Sequence, residues 1–515
     1  MTDGSGVGSK TGAPGLASPD EHDARLLANV HPEGWVNPAP AARYNLVVIG
    51  AGTAGLVAAA GAAGLGARVA LVERRLMGGD CLNFGCVPSK ALIRSSRVCG
   101  AINRAASYGI ARNAPAHAEF GAVMERMRRL RAELSANDSA ARFKGLGVDV
   151  FLGEGRFVGR DAVEVEGLRL NFSRALVATG ARPAAPPIPG LAETGFLTNE
   201  TVFSLTALPR RLAVIGAGPI GCELAQAFRR FGSEVSLLEA LAQILPREDR
   251  DAAAIVERAI VGDGVELLTG CKVASVGMGA AGRIVRLEHR GAHREIEVDE
   301  ILVTAGRAPN VEGIGLEAAG VEYDRKSGVR VDDYLQTGNP HIFAAGDVCS
   351  ALQFTHLSDA HARIVIRNAL FFGRDRASRL TIPWCVYTDP EIAHVGLGEA
   401  EAAARGVAIR TFTQAMSAVD RAVLDGETAG IAKVHVREGG DQIVGATIVA
   451  AHAGEIISEL TLAIAAGIGL GRIAGVIHPY PTQAEAIKKI ADSYNRTRLT
   501  PSRKRLLTRL LAWRR

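Results

Sequence analysis

Cysteine is scarce in this chain: seven in 515 residues, scattered from Cys81 to Cys385. That excludes a secreted scaffold held by disulfides and makes a reducing compartment the default. The N-terminus, MTDGSGVGSKTGAPGLASPD, lacks a basic start followed by an apolar core, so no signal peptide is expected. Charge of one sign is scarce too. The formal net charge is +5, with much of the excess in the last twenty residues, which gives no case for nucleic acid. One uncharged run, LVVIGAGTAGLVAAAGAAGLGA (46–67), has the length of a membrane span, but six glycines between Gly50 and Gly66 argue against one. A cytoplasmic protein of two to four domains is the expectation.

What is abundant is glycine, 59 residues in short clusters. Residues 1–42 read as a flexible leader rich in Gly, Ala, Pro and Asp. From Tyr44 the chain reads as an apolar strand, a glycine turn, an alanine-rich helix and a second strand ending at Glu73, placed to accept hydrogen bonds from a ribose. Gly50, Gly52 and Gly55 make G-x-G-x-x-G directly after the strand, the context this motif needs to bind a dinucleotide. The first glycine allows the turn, the second lets a pyrophosphate approach, and the third brings helix against strand. Phosphate then sits at a helix N-terminus, where free N–H groups favour anions. The unit recurs at RRLAVIGAGPIGCELAQAFRRFGSEVSLLEA with Gly216, Gly218, Gly221 and Glu239, and in both copies the acid stands 23 residues after the first glycine. Two dinucleotides and an α/β fold follow. RALVATGARP (174–183) and EILVTAGRAPN (300–310) form a second repeat, each as though closing the sheet of its unit. In NPHIFAAGDV (339–348), Asp347 ends a strand and could hold the sugar hydroxyls of an extended cofactor.

Between the two units stands GGDCLNFGCVPSK (78–90), with Cys81 and Cys86 five positions apart. Zinc would need a second cysteine pair or histidines nearby, and there are none; no metal site is expected. A structural staple closing so short a loop removes little chain entropy, and a reducing compartment would open it. A reactive pair remains. Pro88 suits the first turn of a helix, which puts Cys86 at or near the N-cap, where a thiolate is stabilised. Lys90 adds positive charge about one turn further on.

Two dinucleotide units, a C-x4-C pair and the downstream Gly346-Asp347 together resemble the class I pyridine nucleotide–disulfide oxidoreductases, from about Tyr44 to Ser493. That family includes dihydrolipoyl dehydrogenase, glutathione reductase and mercuric reductase. The resemblance implies two Rossmann-like domains of the glutathione reductase type and an α+β dimerisation domain. Residues 43–198 and 311–380 would bind FAD, 199–310 would bind NAD(P)H, and 381–495 would form a homodimer interface. By the same resemblance Cys86 faces the flavin, Cys81 attacks substrate, and Lys90 with Glu223 forms an ion pair near the flavin. Asp347 would bind the flavin's sugar chain, and His356 would lie in a helix whose N-terminus faces the ring. Gly79, Thr179, Gly180 and Gly306 are further candidates for cofactor contact. Electrons would pass from nicotinamide through FAD and the Cys81–Cys86 pair to a small acceptor, a disulfide or a metal ion. A redox-sensing flavoprotein is the alternative of another class.

The chain departs from the family near its end. In HPYPTQAEAIKK (478–489), Tyr480 takes the place of the family's histidine five residues before Glu485, and His478 stands two residues early. Tyrosine titrates near 10 and is a poor base at neutral pH. Disulfide reduction of the dihydrolipoyl or glutathione type therefore falls behind a mercuric reductase-like reading. The terminal cysteine pair with which mercuric reductases deliver metal is missing, since the last cysteine is Cys385. Glu239 would accept from a ribose 2′-OH and repel a 2′-phosphate, and no arginine follows before Arg247, so NADH is expected over NADPH. Residues 496–515 read as a basic amphipathic tail, with Thr500 an N-cap before Pro501; two readings stand for residues 500–515, a packed or frayed terminal helix and a peripheral contact with the inner membrane surface.

Overall fold

A computed structural model describes residues 20–111 and 117–515. The first sheet is built on β1 (Tyr44–Ile49), flanked by β2 (Val69–Glu73) and, beyond it, β3 (Val148–Leu152). On its other side lies the long β6 (Leu168–Val177), carrying β5 (Ala162–Val165) and β4 (Gly155–Phe157). Ile342–Ala344 returns from far downstream and pairs in parallel with β6. β1 to β3 and β6 run parallel, in register Val48↔Leu71 and Val47↔Ala175. Covered on both faces from Leu46 onward, β1 reads there as a continuous apolar run rather than an alternating one, and Leu46, Val47 and Val48 are fully buried. Each such side chain contributes about 1.5–3 kcal/mol on burial. The uncharged run at 46–67 is therefore β1, a turn and α2 (Thr53–Gly64), and no helix among the described residues is long and apolar enough to cross a membrane.

A second parallel sheet has the order β9 (Glu266–Thr269), β8 (Glu234–Glu239), β7 (Arg211–Ile215), β10 (Glu300–Val303). Residues 383–450 form a five-stranded antiparallel sheet backed by helices Ala453–Ala465 and Glu485–Thr497. The two strand-to-turn repeats do more than close their own sheets. Ala181–Pro183 and Arg307–Pro309 pair antiparallel with each other and stitch the two dinucleotide units together.

The leader was expected to be flexible, and over residues 20–42 that expectation fails; residues 1–19 lie outside the described set. Glu21–Val30 is a helix, α1, capped by the Asp20 carboxylate, which accepts from the backbone N–H of His22 and Asp23. Leu26 and Val30 are buried on its inner face. Trp35 and Asn37 then bond to the carbonyls of Val150 and Leu152 on β3. At the other end, Pro501–Trp513 is helical with Thr500 capping it at Arg503 N, and none of its residues is buried.

Candidate active site

The two glycine turns are built alike. Gly50 and Gly216 have φ of +103° and +104°, in the left-handed region that only glycine adopts freely. A Cβ on Gly55 would strike the carbonyl oxygen of Gly50, and one on Gly221 that of Gly216. Each acid closes its own turn: Glu73 accepts from Ala51 N and Arg75 N, both at 2.7 Å, and Glu239 from Ala217 N at 2.7 Å and Leu241 N at 2.9 Å. Both carboxylates thus brace the phosphate turn through backbone N–H groups. Burial pushes the Glu73 carboxyl above its ordinary range despite those bonds.

Both turns open onto one cavity of about 1290 Å³, whose wall includes Gly52, Asp347, Cys86, Lys90, Gly218 and Glu223. Gly78 and Gly79, both at positive φ, start the short helix α3 (Gly79–Asn83), which carries Cys81. Gly85 then caps α4 (Cys86–Asn103), so Cys86 is its first residue and Pro88 lies in its first turn. The two cysteines are not bonded to each other; Cys81 is half-buried and Cys86 faces the open cleft. A hydrogen bond from Cys81, helped by Lys90 and the Thr355 hydroxyl, brings the Cys86 thiol down to about 6 against its burial. The same bond, with burial, pushes Cys81 well above the ordinary thiol range. One sulfur is thus held as thiolate and its neighbour as thiol, the division a dithiol relay needs. Lys90 Nζ lies 2.8 Å from Glu223 Oε2 and 4.6 Å from the Tyr387 ring centroid. Glu223 Oε1 accepts from Tyr387 N at 2.8 Å.

Several other candidates line the same cavity. Asp347 lines the cavity, pushed up to about 6 by burial although Arg307 opposes the shift. Arg307 lies 3.2 Å from Asp80 and 3.7 Å from Asp347. Thr179 Oγ1 donates to Asn310 O at 2.7 Å, and Gly180 and Gly306 line the cavity beside it. His356 is in the first turn of helix Thr355–Leu370, stacked on Phe354 and 2.6 Å from Pro383 O. Tyr480 and Glu485 are not brought to this cavity by their own chain. Tyr480 is 71% exposed and donates to Asp420 at 3.1 Å; Glu485 pairs with Lys489 at 3.7 Å. Sequence reasoning missed Thr355, 3.4 Å from the Cys86 sulfur, and the buried Glu248, pushed up to about 7 by burial and bonded to Trp384 Nε1 at 2.6 Å. Thr355 stood one residue before His356 in a segment already singled out; Glu248 carried no local signal.

A family described as "Pyridine nucleotide-disulphide oxidoreductase" matches residues 44–362, and its "dimerisation domain" matches residues 382–491. The chain belongs to the pyridine nucleotide-disulphide oxidoreductases. Within this family it is 34% identical over 453 residues to a mercuric reductase of Staphylococcus aureus, covering 88% of this chain and 83% of that one. It is also 34% identical over 463 residues to a dihydrolipoyl dehydrogenase of Thermus scotoductus, covering 88% and 98%. Among solved structures it resembles LpdA of Mycobacterium tuberculosis (TM-score 0.79, 28% identity, 88% and 100% coverage). It likewise resembles a Cu(II) complex of the HOCl-induced flavoprotein disulfide reductase RclA of Escherichia coli (TM-score 0.77, 28% identity, 86% and 99% coverage).

As a member of this disulphide oxidoreductase family the chain is an FAD- and NAD(P)H-dependent enzyme with a glutathione reductase-type fold, and its dimerisation domain supports a homodimer. The residues present fit FAD. A Cβ on Gly52 would reach towards Gly79 across the cradle, and the buried Asp347 carboxyl lines the same cavity. Lys90 and Glu223 supply a paired cation and anion beside it.

Proposed function

We propose that the enzyme passes electrons from NADH through the Cys81–Cys86 pair to a thiophilic metal ion. FAD, when bound, supplies the relay between nicotinamide and dithiol; residues 43–198 and 311–380 would hold it, and 199–310 the nicotinamide nucleotide. The observation that carries the reading is the sulfur pair at the head of α4, one member held as thiolate and both opening on the cleft of the two glycine turns. Lys90 stabilises the Cys86 thiolate, and Glu223 fixes Lys90. Reducing a disulfide substrate leaves thiolates that need protons, work for which tyrosine is poorly suited. A metal ion taken up by the two sulfurs leaves no product thiolate that must be protonated. Tyr480, standing where the family's histidine stands, therefore favours the metal acceptor. It would reach the cleft of a second copy with Glu485 behind it, there to steady a sulfur by a hydrogen bond. The S. aureus relative's name and the RclA copper complex point the same way.

The test is steady-state oxidation of NADH and of NADPH against Hg²⁺, Cu²⁺, lipoamide, glutathione disulfide and a quinone. Saturable turnover is expected with a metal ion, at least about tenfold in kcat/KM over either disulfide, and with NADH over NADPH through Glu239. Tyr480→Phe should slow the metal-reducing step while sparing reduction of the enzyme by NADH. Preference for lipoamide or glutathione disulfide would sink the assignment; negligible turnover with every acceptor would favour the redox sensor.

Residues 500–515 we assign to peripheral contact with an anionic membrane surface. From Arg496 to Arg515 there are eight basic residues and no acid, and Leu506, Leu507, Leu510, Leu511 and Trp513 are all exposed on one helix. The full-length holoenzyme should sediment with phosphatidylglycerol vesicles and not with phosphatidylcholine vesicles, and a chain ending at Leu499 should do neither. Equal sedimentation of both chains would remove the tail from that role.

A further inference from the structure

The helix that replaces the expected leader lies against the cysteine-bearing loop. Leu26 and Val30 share one apolar core with Met77, Leu82 and Phe84, the residues around Cys81. Polar ties reinforce that packing along the loop. Val30 O accepts from Met77 N at 3.1 Å, immediately before the Gly78-Gly79 turn. The His31 ring bonds to the carbonyl of Arg75. Asp23 Oδ1 holds Arg131 Nη2 at 2.7 Å, with both side chains almost wholly buried. The other arm of the guanidinium, Nη1, donates at 2.9 Å to the carbonyl of Asn83, the last residue of α3. Asn83 in turn donates to Met77 O and Gly79 O, so the guanidinium grips a loop that is also closed on itself. None of these polar ties involves α4 or the phosphate turn, which holds the loop separately where Gly78 N donates to Ala51 O at 2.8 Å. What they share is the loop from Arg75 to Asn83, which sets where Cys81 stands relative to Cys86.

We propose that residues 20–31 act as a clamp on the dithiol loop, with Asp23 and Arg131 as positioning residues that hold Cys81 in hydrogen-bonding reach of Cys86. The clamp tunes the pair without touching substrate or cofactor. By fixing the Cys81 donor, it keeps Cys86 as thiolate at neutral pH and sets the equilibrium between dithiol and disulfide. This rests on reading Cys81 and Cys86 as the redox pair.

Removing one member of a buried ion pair strands the other, so the informative variant replaces both with apolar side chains of similar size, Asp23→Leu with Arg131→Met. A control, Arg128→Gln, cuts the bond of Arg128 to Asp20, which ties the same helix to Phe120–Ser135 but does not reach the dithiol loop. Two quantities are measured on the full-length holoenzyme. One is the pH dependence of iodoacetamide alkylation at Cys86 in the reduced protein, followed by mass spectrometry. The other is the dithiol–disulfide equilibrium in a glutathione buffer. The double variant is expected to raise the alkylation midpoint by about half a unit or more and to shift the redox equilibrium by about threefold or more. Arg128→Gln is expected to leave both quantities unchanged, even where it lowers the melting temperature. If the folded double variant matches the parent in both quantities, the clamp is refuted while the redox pair stands. If the parent itself shows no Cys86 ionisation below the ordinary thiol range, the redox-pair reading fails, and the clamp with it.

Discussion

Cys86→Ser is expected to lower metal-ion and disulfide reduction by on the order of a thousandfold while the protein stays yellow with bound FAD. Serine keeps the size of the residue and, as the first residue of α4, keeps its backbone, so neither the fold nor the glycine turns should suffer. What goes is the thiolate, because a serine hydroxyl does not ionise near pH 6. Cys81 alone cannot take over. Without Cys86 it has no sulfur with which to close a disulfide, and burial still pushes its own thiol up. The parent enzyme supplies the matching pH dependence. A thiol at about 6 is mostly protonated at pH 5 and mostly thiolate at pH 7, so alkylation of Cys86 should rise through that interval and level off above it. Lys90→Gln removes a cation that favours the thiolate and should move the inflection upward. Full activity in Cys86→Ser would end the dithiol assignment.

The second large effect separates the two dinucleotide units. In Gly55→Val and Gly221→Val the new side chain meets a backbone carbonyl, of Gly50 or Gly216, rather than a flexible neighbour. Helix and turn must part by more than a rotamer change can supply. A cost of at least about 3 kcal/mol at either turn corresponds to roughly a hundredfold loss of affinity for the phosphates that turn holds. Gly55→Val should be purified without flavin. Gly221→Val should be purified yellow, bind NADH at least about a hundredfold more weakly by titration, and still be reduced by dithionite. The reverse pattern, flavin lost from Gly221→Val and kept by Gly55→Val, would exchange the two assignments.

Several features could be read locally because the physics is local. A glycine turn needs positive φ at Gly50 and a bare α-carbon at Gly55, and both demands show in six consecutive letters. The acid that braces each turn stands at a fixed strand-and-helix distance, so its spacing of 23 residues was readable twice. Cys86 and Pro88 announced a helix start beside a thiol because caps and first turns are set by neighbours in sequence. The leader misled for the converse reason. A composition rich in glycine and proline described its first nineteen residues and hid the short amphipathic stretch from Glu21 to Val30.

By itself, then, the sequence determined the two glycine turns and the thiol pair beside a helix start. Tertiary structure alone decided which distant groups surround them. Thr355 meets Cys86 across 269 positions, Arg131 meets Asp23 across 108, and Ala181–Pro183 finds Arg307–Pro309 rather than its own sheet. Contacts of this kind leave no periodic mark in the chain. They exist because packing buried apolar faces together carries polar groups inward, and those groups must find partners.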